Sequence, residues 1–298
     1  MAVKVMCKRQ VLEWNQERHV LQERKIISKL HHPLIVQCYG AFQDLKHLYL
    51  ILEFVPGGDL YQYLHEQTRF EEPKARFYAA EVICALGYIH SAHQTIYRDL
   101  KPENILVTEQ GHIKLTDFGF AKMGTSANSF CGTPSYMAPE MILRKDYTAA
   151  VDWWACGILI FEMISGYAPF QGETSKESFE KILGGQIKWP VHVPVGPIRD
   201  ILKGLLAANP LKRLGSKSDA KDLKSHPWFI GVDWAVVDCG GARPPFQVTS
   251  KSSFNVAAAK DDPKEEISID DLDFSDSANP DYPCGDNLNH DDSIFESW

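Results

Sequence analysis

The stretch Asp152-Trp153-Trp154-Ala155-Cys156-Gly157-Ile158-Leu159-Ile160-Phe161-Glu162-Met163-Ile164-Ser165-Gly166 constrains the fold more than any other. It is apolar almost all round, so it has no wet face to offer and must run as a helix through the centre of a core. It is too short to span a bilayer and carries Glu162 within it. A carboxylate on such a helix is costly unless it is paired, so Glu162 demands a partner.

The remainder of the chain can build that core. With 298 residues, 44% of them apolar and 11% aromatic, it can bury one large core or two lobes. No apolar run reaches the roughly eighteen residues of a membrane span, and Met1-Ala2-Val3-Lys4 shows no signal-peptide order. Seven cysteines scattered singly give neither a disulfide framework nor paired metal-ligand spacing, which fits a reducing cytoplasmic or nuclear setting. The net charge of −8 is uneven: from Asp261 onward 13 acidic residues face one lysine, so the acidity belongs to the tail. Nothing suggests a nucleic-acid-binding surface.

Chemistry concentrates in Tyr97-Arg98-Asp99-Leu100-Lys101-Pro102-Glu103-Asn104 and in Asp117-Phe118-Gly119. Between them, Ile105-Leu106-Val107 and His112-Ile113-Lys114-Leu115 alternate around Gln110-Gly111, a hairpin that brings Asp117 back beside the loop. Asp99 can accept a proton from a hydroxyl nucleophile, and Lys101 can neutralise a moving phosphoryl group. Asn104 and Asp117 supply hard oxygen ligands for Mg2+. This is a phosphoryl-transfer layout.

These residues resemble the catalytic loop and metal-binding triplet of eukaryotic protein kinases. Gly132-Thr133-Pro134, Ala138-Pro139-Glu140, Asp152-Trp153-Trp154 and Arg213 follow in the order of that family. Tyr97 in place of histidine is similar to the AGC group, and among its members the cyclic-AMP-dependent catalytic subunits. The resemblance implies an α+β, bilobal kinase-like fold in three parts. These are a truncated N-lobe over residues 1–52, a mainly helical C-lobe over 53–230 and a C-terminal AGC extension over 231–298.

By the same resemblance, the lysine of Ala2-Val3-Lys4-Val5-Met6 holds ATP phosphates and Glu23 on the next helix is its ionic partner. Leu52 backs the adenine pocket, and the backbone of Glu53 and Val55 contacts adenine. Asp59 either contacts ribose or a substrate arginine, or simply starts a helix. Thr133 bridges Asp99 and Lys101, and the Gly-Thr-Pro form implies a serine/threonine enzyme. Ser129 is the regulatory phosphoacceptor, with Arg98, Lys122 and His19 as cationic partners. Phe130, Pro134 and Met137 line the pocket for an apolar residue after the target. Glu103 and Glu162 form a recess for substrate arginines, although Ser135 removes one acid found in the cyclic-AMP-dependent enzymes. Glu140 pairs with Arg213, and Asp152 is structural. Phe295 and Trp298 plug a groove on the upper lobe, and Phe274 and Tyr282 are the tail aromatics available to adenine.

The resemblance therefore implies transfer of the ATP γ-phosphate, with Mg2+, to proteins carrying basic residues before Ser or Thr, and a regulatory subunit as partner. The Gly-rich loop that covers ATP lies on the two strands before the lysine strand, and this sequence begins inside that third strand. Two expectations follow: a fragment or incomplete gene model of an active kinase, or a chain that binds ATP poorly and serves as a scaffold. Another AGC kinase, such as a cyclic-GMP-dependent one, is the nearer alternative.

Overall fold

A computed structural model of the chain describes residues 1–244, 292–295 and 298. Strand β1 (Ala2–Cys7) is followed by helices α1 (Lys8–Glu13) and α2 (Glu17–Ile27), then by strands β2 (Cys38–Gln43) and β3 (His47–Leu52). The sheet order is β1-β3-β2, all antiparallel, with Lys4 opposite Leu50. Side chains alternate across a strand, and here Val3 and Val5 are exposed while Ala2, Lys4 and Met6 turn inward. Lys4 is thus on the helix-covered face, unlike an edge lysine that faces water. Among the described residues β1 has no strand on its other side.

The larger lobe begins with α3 (Leu60–Gln67). It is capped by Asp59, whose Oδ1 accepts a hydrogen bond from the Gln62 N–H at 2.9 Å. Helix α4 (Glu72–His93) starts with Pro73 in its first turn and buries Tyr78, Val82, Leu86 and Ile89. Short strands β4 (Thr95–Ile96), β5 (Ile105–Val107), β6 (Ile113–Leu115) and β7 (Lys122–Met123) follow, β4 pairing with β7 and β5 with β6. Then come α5 (Pro139–Ile142), α6 (Ala150–Ser165), α7 (Ser175–Gly184), α8 (Pro197–Leu205), α9 (Ala220–Lys224) and α10 (Trp234–Asp238). As its sequence demands, α6 lies between α4 and α8, and every residue of it except Glu162 is buried. Helix α10 also packs on α4.

A second, smaller core joins the upper sheet to the end of the chain. Phe295 and Trp298 pack with Val11, Val20, Leu48 and Leu50. The Trp298 indole N–H donates to the Phe42 carbonyl at 2.7 Å, and Gln43 Nε2 donates to the Phe295 carbonyl at 2.9 Å. Lys8 and Arg24 cover the two rings from outside. Phe274 and Tyr282 lie outside the described residues. Cys38, Cys84, Cys131, Cys156 and Cys239 are free thiols. Among the described residues, no helix is long and apolar enough to cross a membrane.

The lower lobe is locked by one buried ion pair. Arg213, 1% exposed, donates to both carboxylate oxygens of Glu140 at 2.6 and 2.8 Å and to the carbonyls of Ala150 and Ala207. Its guanidinium also lies over Trp154. Four of the five N–H donors of the fork are thus in use. Replacing Glu140 with alanine leaves a buried guanidinium without its counter-charge, which is expected to cost about 3–5 kcal/mol. Equilibrium denaturation measures this, and a loss below about 1 kcal/mol would contradict the assigned burial.

Candidate active site

The catalytic loop is fixed by its backbone before any side chain acts. Asp152, fully buried at the start of α6, accepts from the N–H groups of Tyr97 and Arg98, both at 2.8 Å. Arg98 has φ +70°, a left-handed conformation that a long side chain adopts only when its surroundings enforce it. Its side chain does so from the other side, Nε donating to the Phe120 carbonyl at 2.6 Å. Tyr97 packs edge-on against Phe118, 5.2 Å between centroids, which ties the loop to the Asp-Phe-Gly turn.

Asp99, next in the chain, is 4% exposed and bonded through both carboxylate oxygens. Its Oδ1 accepts from the Thr133 hydroxyl at 3.1 Å, and its Oδ2 from Asn104 Nδ2 at 2.8 Å and Lys101 Nζ at 3.0 Å. Lys101 also donates to Thr133 Oγ1 at 3.1 Å. With Nδ2 committed to Asp99, the Asn104 group left to ligate a cation is Oδ1. Asp117 follows the β6 strand at φ +56°, its Oδ1 accepting from the Gly119 N–H at 3.1 Å. Among the described residues no three or more His, Cys, Asp or Glu side chains form a metal cage. One amide and one carboxylate suit Mg2+, which keeps waters and phosphate oxygens as its remaining ligands.

Lys4 Nζ sits 2.7 and 2.9 Å from the two oxygens of Glu23 and 4.0 Å from Asp117. Glu23 is 3% exposed on α2; burial pushes its carboxyl up, and the Lys4 ammonium opposes this. Lys4 is thereby held between the helix of the small lobe and the acid of the large one. At the junction of the lobes, Leu52 ends β3 opposite Ala2 and Cys38. The Glu53 N–H donates to the Gln37 carbonyl at 2.8 Å, and its carboxylate meets Lys114 at 3.0 Å. Among the described residues the Glu53 carbonyl and the Val55 N–H have no partner, an acceptor and a donor two residues apart.

A cleft of about 360 Å³ opens beside the loop, lined by Glu103, Glu162, Glu173, Tyr136, Thr133 and Pro134. The partner Glu162 requires is the Tyr136 hydroxyl, which donates to Oε2. Burial pushes the Glu162 carboxyl up; the Tyr136 bond pulls it down and the Glu103 charge adds to the rise. The residues expected around an apolar substrate side chain are spread: Pro134 lines the acidic cleft, and Met137, 3% exposed, borders a small interior void beneath the loop. Phe130 is on the surface, edge-on to Phe179 and under the Arg144 guanidinium.

Of the three cations expected around Ser129, one reaches it: Arg98 Nη1 donates to Ser129 Oγ at 2.5 Å. Lys122 pairs through its backbone with Ile96, and the His19 ring rests 5.6 Å from that of Phe120. Neither makes a hydrogen bond or ion pair to Ser129 among the described residues. The chain of contacts instead includes Tyr147, which sequence reasoning missed. Its hydroxyl accepts from Arg98 at 3.0 Å and donates to the Ser129 carbonyl at 2.8 Å, while its backbone pairs with Ala127. Tyr136 and His90 were missed for the same reason: an aromatic in an apolar neighbourhood reads as packing until its polar tip is seen to have a partner.

Two comparisons bear on this arrangement. The family model described as "Protein kinase domain" matches residues 1–229. The human protein named cAMP-dependent protein kinase catalytic subunit PRKX is 45% identical over 246 residues, 82% of this chain and 68% of its own length. The cAMP-dependent protein kinase catalytic subunit of Dictyostelium discoideum is 46% identical over 235 residues, 78% of this chain and 36% of its own. That of Schizosaccharomyces pombe is 44% identical over 236 residues, covering 78% and 46%. The chain thus spans between about a third and two thirds of the length of these relatives. With Lys4, Glu23, Asp99, Asn104 and Asp117 gathered at one junction between the lobes, and with these matches, the chain belongs to the protein kinase family and is similar to cAMP-dependent protein kinase catalytic subunits.

Proposed function

We propose that the chain transfers a phosphoryl group from ATP to serine or threonine hydroxyls in proteins with arginine upstream of the target. The observation that carries this reading is the Asp99 carboxylate, buried yet held by Thr133, Lys101 and Asn104 within 3.1 Å. So held, Asp99 orients an incoming hydroxyl and takes its proton, while the Lys101 ammonium stands where negative charge grows. Lys4, fixed by Glu23, receives the nucleotide phosphates. The Glu53 carbonyl and Val55 N–H match the donor and acceptor edge of adenine. Asn104 Oδ1 and Asp117 would hold Mg2+, which supplies charge neutralisation across the phosphates when bound. Asp59 is committed to its helix cap through both oxygens, which supports the capping role over a ribose or arginine contact.

The acidic cleft supports the preference for basic substrates. Glu103, Glu162 and Glu173 share one cavity, and a guanidinium entering it replaces self-repulsion with bidentate pairing. The relatives are named as catalytic subunits, and on that ground we extend the proposal to a regulatory subunit whose basic segment occupies the same cleft. Ser129 is the proposed regulatory phosphoacceptor, read out by Arg98 and through it by the loop carrying Asp99.

Phosphate transfer from ATP and Mg2+ to an Arg-Arg-x-Ser peptide is expected to fall at least roughly a hundredfold in Asp99→Ala and in Lys4→Ala. Equal, negligible rates for the parent chain and both variants would favour a scaffold instead. Glu162→Gln is expected to lower kcat/KM for the arginine peptide about tenfold or more while sparing a peptide without arginine. Because burial raises the Glu162 pKa and only the carboxylate attracts guanidinium, that preference should fade as pH falls, beginning above the range of an exposed glutamate. Phosphorylation of Ser129 is expected to raise thermal stability by about 1.5 kcal/mol or more through charge-assisted bonds to Arg98. Arg98→Ala should abolish that gain, and a gain that survives it would remove Arg98 from the switch.

A further inference from the structure

His90, near the end of α4, lies between two carboxylates. Its Nε2 is 2.8 Å from Asp152 Oδ2 and its Nδ1 is 2.9 Å from Asp219 Oδ1. A neutral imidazole has one N–H and one lone pair, so one of these contacts would set a lone pair against a carboxylate oxygen. Asp152 also accepts two backbone N–H groups and Asp219 Oδ1 the Trp153 indole N–H, so both carboxylates act as acceptors, and an N–H toward each makes His90 an imidazolium. Asp219 is unusual in a second way: it is a non-glycine residue at φ +54°, ψ −138°. That region is strained for any residue with a Cβ. The same Oδ1 also accepts from the Trp153 indole N–H at 2.8 Å, and Asp222 anchors the preceding turn through the N–H groups of Lys217 and Ser218. The backbone strain is thus held by a side chain clamped onto α4 and α6 together.

What this clamp adjoins is the catalytic loop. The Asp152 oxygen that receives His90 Nε2 also receives the Tyr97 N–H, and its other oxygen receives the Arg98 N–H. We propose that Asp219 is a positioning residue for phosphoryl transfer, holding His90 as an imidazolium against Asp152 and thereby fixing the Tyr97–Arg98 backbone that presents Asp99. The catalytic half of this statement rests on the kinase reading above; the positioning half does not. Burial pulls the basicity of His90 down, but the bonds and charges of Asp152 and Asp219 outweigh it and hold it up to about 9. The other ionisable groups near the triad, Tyr97 and Cys156, are pushed up by burial and stay neutral, Cys156 to about 12. A folded pKa above the unfolded value stabilises fully below the ordinary histidine range, and that contribution is lost as pH rises through about 9.

The test is made on the full chain with Asp219→Gly, which removes the carboxylate at a backbone angle glycine accepts, and with Asp219→Asn, which keeps a neutral acceptor. Nitrogen chemical shifts of His90 and amide exchange at Tyr97 and Arg98 are followed from pH 6 to 10. In Asp219→Gly the His90 titration is expected to move down by about one unit or more, and Tyr97 and Arg98 amides to exchange about tenfold faster near pH 8. Asp219→Asn should fall between that and the parent. In the transfer assay, kcat should drop on the alkaline side with KM for ATP unchanged. Unchanged titration and exchange in both variants would overturn the proposal, as would a kcat loss that is the same at every pH. Should glycine unfold the protein, Asp219→Asn decides alone by the same readings. A parent chain without transferase activity would count against the kinase reading only, and the exchange data would still decide the positioning role of Asp219.

Discussion

The structure depends on how one buried carboxylate is satisfied. Asp152 opens a helix that has no exposed face, so its charge cannot reach water. Its acceptor sites are filled by the backbone N–H groups of Tyr97 and Arg98 and by His90. The most apolar element of the protein and its most polar loop are therefore joined by an electrostatic necessity. Core packing fixes α6, α6 fixes Asp152, and Asp152 fixes a strained turn that could not persist on its own. Asp99 inherits that placement.

The two lobes meet through a different balance. Glu23 lies on the buried face of α2, where desolvation opposes its charge, and the Lys4 ammonium offsets that penalty at 2.7 Å. The lysine remains partly accessible, as the proposed phosphate contact requires, and Asp117 approaches it from the lower lobe at 4.0 Å. Phe295 and Trp298 close the back of the same small sheet, adding apolar area to a lobe with little core of its own. The acceptor geometry of the upper lobe is thus supported from both chain directions, by β1 and by the last residues.

The sequence by itself determined the buried helix, because a run from Asp152 to Gly166 with one interior charge has no other soluble solution. It also supplied the functional groups on which the proposed chemistry rests, the carboxylates of Asp99 and Asp117, the amine of Lys101 and the amide of Asn104. Alternation around Gln110-Gly111 settled the hairpin of β5 and β6. Tertiary structure alone decided the partners. That Glu162 meets a tyrosine hydroxyl rather than a base, that Ser129 meets Arg98 and Tyr147 rather than Lys122 and His19, and that Asp59 spends both oxygens on its own helix are facts of approach between distant segments. His90 shows the reason most plainly: its charge follows from carboxylates 62 and 129 residues away. Periodicity encodes which face is buried, but a hydrogen bond requires an angle and a distance, and those exist only after the chain has packed.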